Sequence, residues 1–228
     1  GSHLWDSATA IVTDSDGNSY VTGGLTGQAD FEGGTGAAQF SSIGGSDVFV
    51  AKFDTNGIIT WALGFHGPHD DYGSGISIDD SGNVLVSGSY GISIDEKDHS
   101  GEHSMSVGSN ALPSGSKYGS GFIAKLSPTG VVDWAHALTS VEGGWVKGLD
   151  VAFSPNGNAY LVGQFNTVIQ LEQGGTPVSG IQKDGFIAAY SPEGERLSFN
   201  VLGGFSDDAV SAVEVDDTGK VWVAGHFG

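Results

Sequence analysis

A chain of 228 residues with 39 glycines, 6 prolines and no cysteine can hold no disulfide, no thiolate metal site and no cysteine nucleophile. Its 27 acidic against 8 basic side chains, a net charge of −19, exclude sequence-independent binding to nucleic acid and insertion at anionic membranes, both of which need clustered Lys and Arg. Hydrophobic residues at 38%, with 5 Trp and 12 Phe, suffice for a folded core, and no apolar run approaches the roughly 18 residues of a membrane-spanning helix.

Gly1, Ser2 and His3 read as the remnant of a cleaved tag, so the folded domain is taken as 4–228. The first hairpin is AIVTDSDGNSYVTGG (10–24), two strands around a turn at Gly17. Within it Asp14, Asp16 and Asn18 resemble half of a calcium loop, which needs several oxygen ligands on a short flexible segment. The glycine comes fourth rather than sixth, so the EF-hand spacing is not met. A second hairpin type follows, DVFVAKFDTNGIITWALGF (47–65), whose alternation of Val48, Val50 and Lys52 against Phe49, Ala51 and Phe53 is that of a half-buried strand.

Next comes a corner, His66-Gly67-Pro68-His69-Asp70-Asp71, where the turn allows the two imidazoles to converge on a metal with the carboxylates. The alternative is a set of hydrogen-bonded corner residues, because Asp207 and Asp208 repeat Asp70 and Asp71, and Asp6 has the same offset from its own turn. The first hairpin type returns as GISIDDSGNVLVSGS (75–89). An insertion, 89–119, then departs from the pattern and carries Asp95, Glu96, Asp98, His99, Glu102 and His103, a set able to hold calcium or a transition metal if the loop folds around it. Its other reading is a solvated polar loop. H-x-x-E-H in this stretch lacks the helix that metalloprotease chemistry requires.

The remaining elements are GFIAKLSPTGVVDWAHAL (121–138), DVAFSPNGNAYLVGQ (150–164), GFIAAYSPEGERLSFNVLG (185–203) and AVEVDDTGKVWVAGH (212–226). Trp145, between two of them, is the aromatic least constrained by the pattern and the best candidate for contacting a ligand.

One hairpin type thus occurs four times and the other three times, with turn glycines at 17, 82, 157 and 219 and at 57, 130 and 194. The repeats fall at about 4–65, 66–138, 139–204 and, as a half, 205–228. Tandem four-stranded antiparallel units that cannot bury both faces alone predict an all-β fold, a β-propeller of about three and a half blades. It is either incomplete or completed by another segment or chain, and its exposed blade edges invite self-association or strand completion. Trp61, Trp134 and Phe199 recur on the fourth strand as expected wedges between blades.

Segments such as GGSDVFVAKFDTNGIITWALGF followed by DDYGSGISIDDSGNVLVSG resemble the SBBP-type bacterial β-propeller repeat. The resemblance spans Leu4 to Gly228 and is weakest in the third repeat, where Ala189 replaces Lys52 and Lys125. It implies a propeller within a secreted or surface-anchored bacterial protein and brings no catalytic residues with it. The expected function is a non-enzymatic binding or scaffold module, stabilised by calcium if a corner site forms, with a protein or carbohydrate ligand. An extracellular lyase or glycoside hydrolase using acids in the propeller funnel, and a calcium-dependent adhesin segment, stay open as alternatives.

Overall fold

The computed structural model of the chain describes residues 5–31, 39–93, 103–140, 143–171 and 175–228. Every regular element among them is a β-strand. The turn chemistry explains why. At all seven hairpin turns the glycine has a φ between 77° and 90°, the left-handed region open to glycine at no steric cost. At six of them the side chain three positions earlier caps the turn by accepting a backbone N–H, and at the seventh the Ser154 hydroxyl donates instead, to the Asn158 carbonyl at 3.1 Å. Asp14 accepts the backbone N–H of Asp16 at 3.1 Å and of Asn18 at 2.8 Å, and Asp54, Asp79 and Asp216 repeat both bonds. The hydroxyls of Ser127 and Ser191 accept equivalent N–H groups, those of Val131 and Glu195. A type I turn with a glycine bulge is therefore written locally at each hairpin.

The strands form antiparallel meanders of four. The first is β1 (Ser7–Thr13), β2 (Ser19–Asp30), β3 (Gln39–Phe53) and β4 (Ile59–His66), hydrogen-bonded in that order. The second is β5 (Asp70–Ile78), β6 (Val84–Ile92), β9 (Tyr118–Leu126) and β10 (Val132–Ser140), with the short strands β7 (Met105–Val107) and β8 (Asn110–Leu112) between β6 and β9 in the chain. The third is β11 (Val146–Phe153), β12 (Ala159–Gln170), β13 (Val178–Tyr190) and β14 (Arg196–Leu202), and a hairpin of β15 (Ala209–Val215) and β16 (Val221–His226) follows. A two-residue pairing, Thr139 with Gln170 and Ser140 with Ile169, joins the second and third meanders into one curled eight-stranded sheet.

Two findings differ from the sequence reading. Part of the 89–119 insertion is not a polar loop. Met105, Val107 and Leu112 are buried, and β7 extends the first meander by pairing Val107 with Phe65 and Ser106 with His66. Three-residue strands are too short to show a hydrophobic period, so the pattern was invisible. The centre of β3 also does not alternate: Val48, Phe49, Val50 and Ala51 are all buried, because Val48 and Val50 pack on the second meander while Phe49 and Ala51 lie in a cluster formed within the first meander by Leu25, Ala29 and Phe40.

Packing between meanders uses the expected wedges. Trp61 Nε1–H donates to the carbonyl of Pro128 at 3.1 Å, and Trp134 Nε1–H donates to that of Pro192 at the same distance. Each indole thus lies on the turn of the following meander, where a Cβ on Gly130 or Gly194 would come within 2.9 or 2.8 Å of it. Phe199 instead stacks on Phe186 with ring centroids 5.4 Å apart. His136, on β10, stacks on Tyr190 at 5.1 Å. The Phe199 contact lies within the third meander, whereas the two tryptophans and His136 tie units together, with one hydrogen bond at each tryptophan.

Candidate functional site

The first strand of each meander faces the next. β1 packs on β5, β5 on β11 and β11 on β15, so four strands wall one side of a cleft of about 620 Å³. Its rim comes from the turns after these strands, which is why Asp14, Asp16, Asp79 and Asp80 all line it, joined by Asp150 and Glu214 from the walls. Lys52 is the one basic side chain among the lining residues. The turn chemistry that folds the hairpins therefore also makes one end of the cleft strongly acidic.

Asp150 is the functional candidate that the sequence reading missed. In register it matches Ala10 on β1, Gly75 on β5 and Ala212 on β15, which pair with Thr22, Ser87 and Ala224 as Asp150 pairs with Val162. A small residue stands at this position in every other meander, and on the adjacent strand β5 it has to be small: a Cβ on Gly75 would lie 2.7 Å from the Asp150 Cα. Its Oδ2 accepts the Val213 N–H at 3.0 Å and its Oδ1 the Val151 N–H at 2.9 Å, so the side chain staples β11 to β15. Half-burial raises its pKa against these two bonds, which favour the carboxylate. The signal was present in the first letters of the four aligned hairpins, A, G, D and A.

The corner acids do a recurring job. Asp6, Asp71 and Asp208 accept the backbone N–H of Thr26, Gly91 and Gly228 at 3.3, 2.8 and 2.9 Å, the same link between the start of one strand and the end of the next. The third meander reverses the polarity: there the Trp145 N–H donates to Asn166 Oδ1 at 2.6 Å. Asp70 accepts the Ser46 N–H at 2.9 Å, and Asp207 pairs with Lys183. Asp71 is fully buried and faces Asp47. Burial, with the Asp47 charge adding to it and the Gly91 bond opposing, pushes Asp71 up to about 8.

The two corner histidines take different partners. His66 Nδ1 lies 3.0 Å from Asp47 Oδ2, and its ring packs on Phe40. His69 stacks on His103 at 4.5 Å, which brings the corner and the insertion together. His103 Nδ1–H donates to the Gly91 carbonyl at 3.0 Å, and Tyr90 Oη–H donates to that of Pro113 at 2.8 Å, so both arms of the insertion are anchored on β6. Asp95, Asp98, His99 and Glu102 lie outside the described residues. Asp14 uses its carboxylate on the turn, on the Asn18 amide at 2.8 Å and on the Tyr20 hydroxyl at 3.1 Å, while Asp16 is exposed. Among the described residues, no three His, Asp or Glu side chains are arranged to share a metal ion. Trp145 is half-buried beside β11, with the Lys147 ammonium 5.3 Å from its ring.

No family model matches the sequence. An uncharacterized WD repeat-containing protein of Acanthamoeba polyphaga mimivirus is 25% identical over 133 residues, which is 58% of this chain and 9% of that protein. The match therefore spans less than a tenth of the relative's length.

Proposed function

We propose that the chain is a β-propeller module, non-enzymatic, that binds or scaffolds a partner through the cleft walled by β1, β5, β11 and β15. In this reading each four-stranded meander is a blade, there are three of them, β15 and β16 are the inner half of a fourth, and the repeat is of the SBBP type, which places the protein on or outside a bacterial cell. The observation that carries the reading is the repetition of one inter-unit device: a fourth-strand tryptophan bonded to the next unit's turn carbonyl, at Trp61 and Trp134. The similarity to a WD repeat-containing protein supports the architecture. The partner presents positive charge to the cleft, because six acids face one lysine there.

The experiment is a titration of the protein with lysine- and arginine-rich peptides and, in parallel, with neutral oligosaccharides. Peptide binding that weakens steeply with salt and drops in Asp150→Asn supports the reading. Oligosaccharide turnover, lost in Asp150→Asn, would establish the hydrolase or lyase reading, which the raised pKa of Asp150 favours.

A further inference from the structure

Asp47 and Asp71 are both 0% exposed, and they come from different units, β3 of the first meander and the start of β5 in the second. Asp47 is well supplied with donors: its Oδ1 accepts the Gly67 N–H at 3.1 Å and its Oδ2 faces His66 Nδ1 at 3.0 Å. Asp71 is not. Its Oδ1 accepts the Gly91 N–H at 2.8 Å, while among the described residues no donor reaches its buried Oδ2. The acid it meets is the Asp47 carboxyl, and two carboxyls bond each other only with a proton between them. The matching corner of the last hairpin is made differently: Asp208 receives an N–H on each oxygen, from Gly228 at 2.9 Å and Gly204 at 2.7 Å. The corner without its second donor is the one whose unit carries the insertion.

The arm of that insertion formed by residues 103–112 lies against the acid pair. A Cβ on Gly67 would fall 2.5 Å from Asp71 Oδ2 and 2.8 Å from the Ser104 carbonyl, so the unbonded oxygen and the arm's backbone meet at one glycine. Gly91, whose N–H serves Asp71, accepts the His103 Nδ1–H through its carbonyl. Beyond this point the arm is held on β4 by two residue pairs, Phe65 with Val107 and His66 with Ser106. Without the proton, Asp71 Oδ2 would face a carboxylate and a backbone carbonyl in a site closed to water, which is costly for a buried charge.

We propose that the Asp47–Asp71 pair is a proton-held latch for residues 103–112: with a proton between the two acids the arm stays on β4, and loss of that proton to solvent releases it. Release uncovers the outer edge of β4 at Phe65 and His66, together with Met105, Val107 and Leu112, which are buried in the docked arm. The direction follows from linkage. In the released state water reaches Asp71, which then titrates near its ordinary 3.8, whereas burial beside Asp47 holds it at about 8 in the docked state. Docking therefore has its full strength below 3.8, weakens by up to about tenfold per pH unit as the pH rises, and levels off above about 8. The other ionisable groups around the pair are His66 at the end of β4, His69 and Asp70 in the same corner, Tyr72 on β5, Tyr90 on β6 and His103 in the arm. The Asp70 charge favours the shared proton further. The latch is independent of what the cleft binds.

Amide hydrogen exchange on the full chain between about pH 5 and 8, corrected for the intrinsic pH dependence of exchange, tests this. Protection of the Met105–Val107 amides should fall by up to about tenfold per pH unit, and about 1 M urea should hardly change it, because releasing the arm exposes little surface. In Asp71→Asn the side-chain N–H stands where the proton stood, so protection there should no longer depend on pH. His66→Gln should leave the slope in place. A slope that survives Asp71→Asn, or that His66→Gln abolishes, would make an imidazole the sensor and overturn the proposal. Flat protection in the unaltered chain would overturn it as well. So would Met105–Val107 amides that exchange with the urea sensitivity of Leu161 and Val162 on β12, because Asp71 would then stabilise the whole fold rather than hold the arm.

Discussion

Asp71 and Asp150 are both carboxyls that burial pushes upward, and they occupy the molecule in different ways. Asp71 belongs to a corner that the chain builds again at Asp6 and Asp208, with the same backbone acceptor role each time. Asp150 occurs once, at a position otherwise given to alanine or glycine, and it faces the cleft. Recurrence in a repeat protein marks what the fold needs at every unit. A single departure at an otherwise small position, with its own hydrogen bonds, marks what one unit does differently.

The largest expected effect separates the two by stability. Asp71→Ala leaves the buried Gly91 N–H without its acceptor and opens a small cavity, for a loss of about 3 kcal/mol in urea unfolding. Asp71→Asn keeps an acceptor in the same place and imitates the protonated acid, so it should cost less than about 1 kcal/mol. Equal losses in the two variants would mean that the charge, rather than the bond, matters at this corner.

The next effect is a pH slope. The unfolded carboxyl titrates near 3.8 and the folded one at about 8, so between these values the native state holds the extra proton. The contribution of Asp71 is fully present below about 4 and is lost as pH rises through about 8, a fall of about 2 kcal/mol between pH 6 and 8. Asp71→Asn should flatten that part of the stability curve. A wild-type curve that is already flat there would remove the protonated corner.

The smallest effect on stability belongs to Asp150. Asp150→Ala breaks two backbone bonds at a half-exposed site and should cost about 1 kcal/mol, while reducing cationic-peptide affinity several-fold. Retained affinity with a loss as large as that of Asp71→Ala would make Asp150 another corner residue and erase the contrast.

Much of the architecture was legible because its cause is local. A turn such as DSDGN or SPTG carries its own cap, its own left-handed glycine and the bulge that sets the strand pairing, so each hairpin could be read within a dozen residues. The wedge role of Trp61 and Trp134 followed from their recurrence. Asp150 was legible too, since lining up the four hairpins sets one acid where Ala10, Gly75 and Ala212 stand, but a single acid carries a weaker signal than a dense acid cluster. The Asp47–Asp71 contact, the stacking of His69 on His103 and the pairing of β7 with β4 had no such signal. They join segments brought together only when units stack.

The composition that first stood out has a divided explanation. By itself the sequence determined the strands, the turns and their repetition, since short-range hydrogen bonding and the left-handed glycines decide those without reference to the rest of the chain. It also determined the excess of acid, much of which caps turns and corners. Only the tertiary structure decided where that charge would meet. Stacking the first strands side by side gathers turn acids from separate units onto one rim. That outcome depends on distances between residues far apart in the chain, which local propensity does not encode.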